Sequence, residues 1–180
     1  GGRYAGCARE QEKVVYDDDS RQAWKGRDTD LSPASDANDD YALHASTRVE
    51  PLPRDICRGM DGAGMYSRGV KGECNFGQQE IAFRYAHAIN TCDNHSIYKS
   101  GSKEIADAHG KSITFMVKFN EREGSSSHIH ASLRDFHGAP VLADDDDPDG
   151  TSPMFRHLIA GQLKLLLEFT LLYAPHINSY

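Results

Sequence analysis

Gly72-Glu73-Cys74-Asn75-Phe76-Gly77-Gln78-Gln79-Glu80-Ile81-Ala82-Phe83-Arg84-Tyr85 is the stretch on which the fold turns. Val70 to Tyr85 reads as strand material bent around Gly77. From Glu80 onward, large apolar groups alternate with charged ones. Ile81, Phe83 and Tyr85 are expected on one face, with Glu80 and Arg84 on the other. The bend could bring the Glu73 and Glu80 carboxylates to one cavity. Working outward, Glu10 to Tyr16 predicts a short strand closed by the polar turn Asp17-Asp18-Asp19. The β-branched and aromatic run Ser112 to Phe119 predicts another strand, and Ile129 to Leu133 a further one. The polar loop Asn120 to Ser127 lies between them. Residues 25–41, rich in Asp, Ser, Gly and Pro, read as a surface loop.

Three helices are expected. One spans Arg48 to Met60 with Pro51 in its first turn, and a second spans Asn94 to His109 and stops at Gly110. The third has Ser152 as N-cap and Pro153 at its first position; apolar residues run from Phe155 to Tyr173 until Pro175 halts it. Lys164 and Glu168 interrupt that run, so it is expected to be a core helix and no membrane span. The fold class is α+β, with antiparallel strands in a curved sheet backed by the two longer helices.

The 180 residues suit one domain, and Lys+Arg 20 against Asp+Glu 27 leave a net charge of −7. That balance argues against a nucleic-acid binder, and 38% hydrophobic residues is too polar for a membrane protein. Cys7, Cys57, Cys74 and Cys92 form no C-x-x-C motif, which suits reduced thiols in a cytoplasmic protein. No apolar signal segment follows Gly1-Gly2, so the chain is expected to be a processed product or a piece of something longer.

Three patterns place ionisable groups together. Glu10 and Glu12 project from the same face of a strand, and so do His128 and His130. Glu73 and Glu80 bracket the bend. Clustered carboxylates repel unless a cation lies between them, and oxygens with one imidazole per ion suit Mg²⁺ or Mn²⁺ better than zinc. Each pattern alone is also what a solvated strand face looks like; it is their order along successive strands that points to a metal centre. Asp144 to Gly150 imitates a calcium loop, but Arg156 stands where a bidentate Glu is required, so it reads as a solvated acidic loop. Gly124-Ser125-Ser126-Ser127 reads as a polar hairpin.

These pieces resemble a known family. Gly72 to Ile81, Tyr98-Lys99, Lys103 to Ala106, His109-Gly110, Thr114-Phe115-Met116, Gly124-Ser125, His128 to Leu133 and Ala174 to Tyr180 together resemble the catalytic domain of glutamine synthetase. They are closer to its bacterial class-I-like relatives, which include γ-glutamyl–amine ligases. The resemblance runs from about Glu10 to Tyr180 and implies that residues 1–180 are a central fragment of that domain. An N-terminal β-grasp domain and the C-terminal part of the catalytic domain would lie outside the chain.

By this resemblance, Glu12, Glu73 and Glu80 match the ligands of one divalent ion, while Glu10 and His128 match two of the other's three. His130 and Ser132 match residues near ATP, the Phe83 to Tyr85 segment lies along the nucleotide, and Gly124 matches a backbone contact to L-glutamate. The implied reaction joins ammonia to the γ-carboxylate of glutamate through a γ-glutamyl phosphate, using ATP and Mg²⁺ or Mn²⁺; the alternatives are a γ-glutamyl–polyamine or γ-glutamyl–ethanolamide ligase, or a non-catalytic paralogue retained for assembly. The implied assembly is a homo-oligomeric ring, with the fragment alone expected to be inactive. Four glutamates supply a formal −4 against +4 from two divalent ions. No residue is singled out as the base that deprotonates the nucleophile. Gln11 and Lys13 stand where the family carries apolar residues, which predicts a poorly supported inner face. Glu123 replaces an Asn that touches glutamate in many glutamine synthetases, which weakens the case for ammonia as nucleophile.

Overall fold

The computed structural model describes residues 3–179. Gly1, Gly2 and Tyr180, the last residue of the C-terminal block, lie outside the described residues. In chain order the elements are β1 (Arg3–Tyr16), α1 (Ser20–Lys25), α2 (Leu43–Val49), α3 (Pro51–Gly62), β2 (Ser67–Gly72), β3 (Gln78–His87), α4 (Ala88–Ala108), β4 (Ser112–Thr114), β5 (Ser127–Asp135) and α5 (Pro153–Tyr173). All pairings in the sheet are antiparallel, in the order β2-β3-β1-β4. Along the far edge of β1, β4 pairs with Val14–Tyr16 and β5 with Arg3–Gln11. The long central strand β1 therefore touches three others. The expected α+β fold with an antiparallel sheet backed by helices is what the chain adopts.

The helices doing the backing are α3 and α4. Leu52, Ile56 and Met60 of α3 and Tyr98 and Ala106 of α4 bury against Val15, Ile81, Phe83 and Ile113 of the sheet. Tyr98 meets Phe83 and Phe115 edge-on at 5.0 and 5.6 Å, and the Arg9 guanidinium lies 4.9 Å from the Tyr98 ring centroid. α5 corrects the expectation of a core helix. Its start is as expected, with Ser152 Oγ accepting from the Phe155 N–H and Pro153 at the first position. Yet it has no buried residue, and Leu163, Leu167 and Leu171 all stand open to solvent among the described residues. An apolar stripe reports that a helix needs a partner, without saying which segment provides it.

Other boundaries shift for local reasons. The helix expected over Arg48 to Met60 is two helices, because Pro51 and Pro53 lack the N–H groups that would carry the ladder through Glu50. The Ser112 strand stops at Thr114, and α4 begins at Ala88, earlier than Asn94. A bulge between Cys7 and Arg9 in the β1–β3 register has a larger consequence. One extra residue on β3 reverses the faces beyond it. Phe83 buries in the core with Ile81, whereas the Tyr85 ring lies on the opposite face, so closely over Gly6 that a Cβ there would stand 2.7 Å from it. The expectation that Ile81, Phe83 and Tyr85 share a face is thereby corrected.

The inner face of β1 carries the polar residues whose support looked doubtful. Gln11 satisfies its amide on the Glu12 and Ser126 carbonyls at 3.0 and 3.2 Å. Lys13 is fully buried, its Nζ has no hydrogen-bond partner, and burial pushes its pKa down to about 7 despite nearby Cys57 and Glu80. Between pH 7 and the ordinary lysine value of 10.5, the unfolded chain holds a proton that the native chain has released. Stability should therefore rise with pH through that window. In urea unfolding at successive pH values, the chain should gain on the order of 1 kcal/mol per pH unit relative to Lys13→Met. A constant difference between the two proteins from pH 7 to 10 would contradict the assigned burial.

Candidate active site

The face of the sheet away from α3 and α4 gathers the ionisable residues. Register does most of this work. Glu12 pairs with Glu80 across β1–β3, and Glu10 pairs with His128 across β1–β5. Because side chains alternate, Gly6, Ala8, Glu10 and Glu12 share a face with their β5 partners Ser132, His130 and His128. The turn between β2 and β3 then delivers Glu73 beside Glu80.

Two groups of ligand atoms on this face are each drawn together within 4.8 Å, Glu12 with Glu73 and Glu80, and Glu10 with Glu80 and His128, while a third, Asp40 with Glu73 and Cys74, lies at the β2–β3 turn. Glu80 belongs to both. His128 Nδ1 lies 3.6 Å from Glu10 Oε2 and 3.7 Å from Glu80 Oε2, and His130 Nε2 lies 3.5 Å from Glu10 Oε2. The six residues singled out by pattern thus converge on one site. Its donor set is mainly carboxylate oxygen with little imidazole, the composition suited to Mg²⁺ or Mn²⁺. Glu80 is 2% exposed and its Oε2 has no hydrogen-bond partner among the described residues, an orphaned buried oxygen whose chemistry fits a cation ligand. Burial, along with the Glu12 and Glu80 charges, outweighs Lys71 and raises the Glu73 carboxyl above the usual range.

Several residues that no motif flagged hold this arrangement. Glu12 accepts from the Ser126 N–H at 2.9 Å, from the Ser126 hydroxyl, and from Gln78 Nε2 at 2.9 Å. Gln78 also donates to the Gly124 carbonyl at 2.9 Å, while its Oε1 accepts from the Asn75 N–H at 2.9 Å. Asn75 in turn donates to Asn120 Oδ1 and to the Glu123 carbonyl. Gln78 and Asn75, both buried, fasten the 120–126 loop to the first turn of β3. The Lys71 ammonium is 3.0 Å from Glu73 Oε1 and 3.2 Å from Glu80 Oε1, and donates to the Tyr41 hydroxyl. Burial opposes its charge, but hydrogen bonds to Tyr41, Glu73 and Glu80 hold its pKa above the usual lysine range. Asn75 and Gln78 lie within the Gly72 to Ile81 block and Ser126 within the Gly124 to Ser127 stretch, though neither pattern assigned them this role; nothing in the sequence pointed to Tyr41.

The remaining predicted positions divide. Tyr85, His130 and Ser132 lie along the same face, beyond Glu10, and Ser132 Oγ donates to the Gly6 carbonyl at 3.3 Å. The Phe83 ring itself follows the alternation of Ile81 into the core against Tyr98, while the 83–85 segment lines a cavity with Arg9 and Tyr66. Gly124 sits at the rim, its carbonyl already occupied by Gln78. The acidic loop behaves as its sequence suggests. Arg156, at the would-be twelfth calcium position, pairs with Asp147 and holds that carboxyl below its usual range.

The model of the glutamine synthetase catalytic domain matches residues 5–180. The chain belongs to the glutamine synthetase family. It is 50% identical over 179 residues to γ-glutamylethanolamide synthetase GlnA4 of Streptomyces coelicolor, covering 99% of this chain and 38% of that protein. It is also 33% identical over 151 residues to the glutamate–isopropylamine ligase of a Pseudomonas species, covering 83% of this chain and 33% of that one. A solved structure of apo GmaS without ligand superposes on 99% of the chain and 41% of its own length, with TM-score 0.86 and 26% identity. The chain thus spans less than two fifths of the length of these curated relatives.

Gln78 offers a direct check on the site's internal support. Gln78→Leu removes one donor from the buried Glu12 carboxylate and another from the Gly124 carbonyl, and should cost about 1–3 kcal/mol of stability. Urea unfolding reads this as a lowered midpoint; an unchanged midpoint would show that Glu12 does not depend on Gln78.

Proposed function

We propose that the full protein is an ATP-dependent γ-glutamyl–amine ligase that joins a small primary amine of the ethanolamine class to the γ-carboxylate of L-glutamate. The observation that carries this is the convergence of Glu10, Glu12, Glu73, Glu80 and His128 from β1, the β2–β3 turn, β3 and β5 into two overlapping ligand groups. Such a site is suited to bringing one anion to another. When bound, two divalent ions would neutralise charge on phosphate and carboxylate oxygens. Glu12, Glu73 and Glu80 would hold one ion, and Glu10, Glu80 and His128 would contribute to the other.

The chain's own residues set the geometry of the exchange. Ser126 and Gln78 orient Glu12, and the Gln78–Asn75 pair positions the 120–126 loop where glutamate would lie against Gly124. Tyr85, His130 and Ser132 offer the adjoining sheet face to ATP. The glutamate γ-carboxylate oxygen bonds to the γ-phosphorus as ADP leaves. The amine nitrogen then bonds to the acyl carbon, phosphate leaves, and the amine gives up a proton. Glu123, together with the ethanolamide- and isopropylamine-ligating relatives, supports an amine over ammonia. The exposed rim at His128, His130 and Tyr85 suits completion by a neighbouring subunit of a ring, and the four free cysteines suit the cytoplasm.

With the full protein, phosphate release from ATP should require glutamate, a divalent ion and an amine together. kcat/KM for ethanolamine should exceed that for ammonium by about tenfold or more, the scale of one well-made polar recognition contact. The reverse order would restore ammonia as the natural nucleophile. Glu73→Ala with Glu80→Ala should abolish turnover, and retained activity in that double variant would reject the ligase assignment.

A further inference from the structure

We propose that Lys71 is a built-in counter-ion of the carboxylate cluster. Its ammonium holds Glu73 and Glu80 together in the metal-free protein and competes with a divalent cation for the same carboxylates. The inference rests on the proposed reading of Glu12, Glu73 and Glu80 as a metal site.

Two independent observations support it. First, the ammonium is engaged on three sides. Lys71 Nζ donates to the Tyr41 hydroxyl at 3.1 Å and is ion-paired with Glu73 Oε1 at 3.0 Å and Glu80 Oε1 at 3.2 Å. It also lies 4.8 Å from the Tyr41 ring centroid, within cation–π range. Lys71 pairs directly across the strands with Glu80, so the register of β2 on β3 keeps it there. A divalent ion held by Glu73 and Glu80 would share both carboxylates with this ammonium, at Glu80 through the other oxygen, Oε2, so the two positive charges compete for the same groups.

Second, the Tyr41 side of the clamp is built. Tyr41 takes a left-handed backbone at φ 54, and its ring, 70% exposed, lies across the Lys71 ammonium. The Tyr41 N–H donates to the Gly72 carbonyl, and Asp39 beside it is buried. Gly72 is glycine for a visible reason: a Cβ would stand 2.5 Å from the Asp39 carbonyl oxygen. The loop therefore seats directly on the end of β2, one residue from Lys71, and holds the ring over the ammonium.

A residue that merely supports the fold would, when removed, lower stability and weaken metal binding together. A competing counter-ion separates the two. In the full protein at one pH, Lys71→Met should lower the metal-free Tm, since Glu12, Glu73 and Glu80 then repel without compensation. It should nonetheless bind Mn²⁺ about tenfold more tightly by calorimetry or EPR titration, because no ammonium competes with the ion. Tyr41→Phe keeps the ring, removes one acceptor, and should tighten Mn²⁺ binding by a smaller factor; it serves as the test if Lys71→Met does not fold. Unchanged or weaker Mn²⁺ binding in a folded variant, with the parent protein binding normally, overturns this proposal alone. A parent protein that binds no Mn²⁺ at millimolar concentration overturns the ligase reading and this proposal with it.

Discussion

Three carboxylates pressed together on a largely buried sheet face set the terms for the rest of the molecule. Glu12, Glu73 and Glu80 bring oxygens within 4.8 Å of one another, and Glu12 and Glu80 are among the most buried charged groups in the chain. Taking such charges out of water costs several kcal/mol each, and their mutual repulsion adds to that. Every donor within reach is accordingly turned toward them. Ser126 and Gln78 serve Glu12, Lys71 serves Glu73 and Glu80, and the Asn75–Gln78 pair brings the 120–126 loop into place. The loop is thus ordered by the same groups that stabilise the charge.

β1 carries this tension on both faces. One presents Glu10 and Glu12; the other presents Arg9, Gln11 and Lys13 to the packed helices. A strand optimised for stability alone would place apolar residues on that inner face. Here Arg9 stacks on Tyr98, Gln11 bonds the backbone, and Lys13 is left unpartnered, so only part of the polar inner face is compensated. Local rules give way where a site must be held, and this strand holds most of one.

Membership of the glutamine synthetase family and the site geometry bear on different questions. Family similarity covers nearly all of this chain but less than two fifths of its curated relatives, and within the described residues α5 buries no side chain. Its leucines follow helical spacing faithfully and still find no covering surface among the described residues. The site, by contrast, is assembled from strands and turns within the chain, so its carboxylate geometry can be argued from these residues directly.

Much of this was legible in the amino-acid sequence. Strand alternation marked β3, Ser152-Pro153 marked the start of α5, and the ordered E-x-E, E-x₆-E and H-x-H patterns named the six residues that meet. Those signals are local: a period, a cap or a spacing constrains only its own few residues. The bulge that parts Phe83 from Tyr85 and the seat of Tyr41 over Lys71 were decided by tertiary structure. Each depends on which strand lies beside which and in what register, and segments distant in the chain leave no mark of that in one another's sequence. The same reason explains why Ile81, Phe83 and Glu80 were placed correctly while Tyr85 was not: alternation predicts a face only until an unpaired residue reverses it.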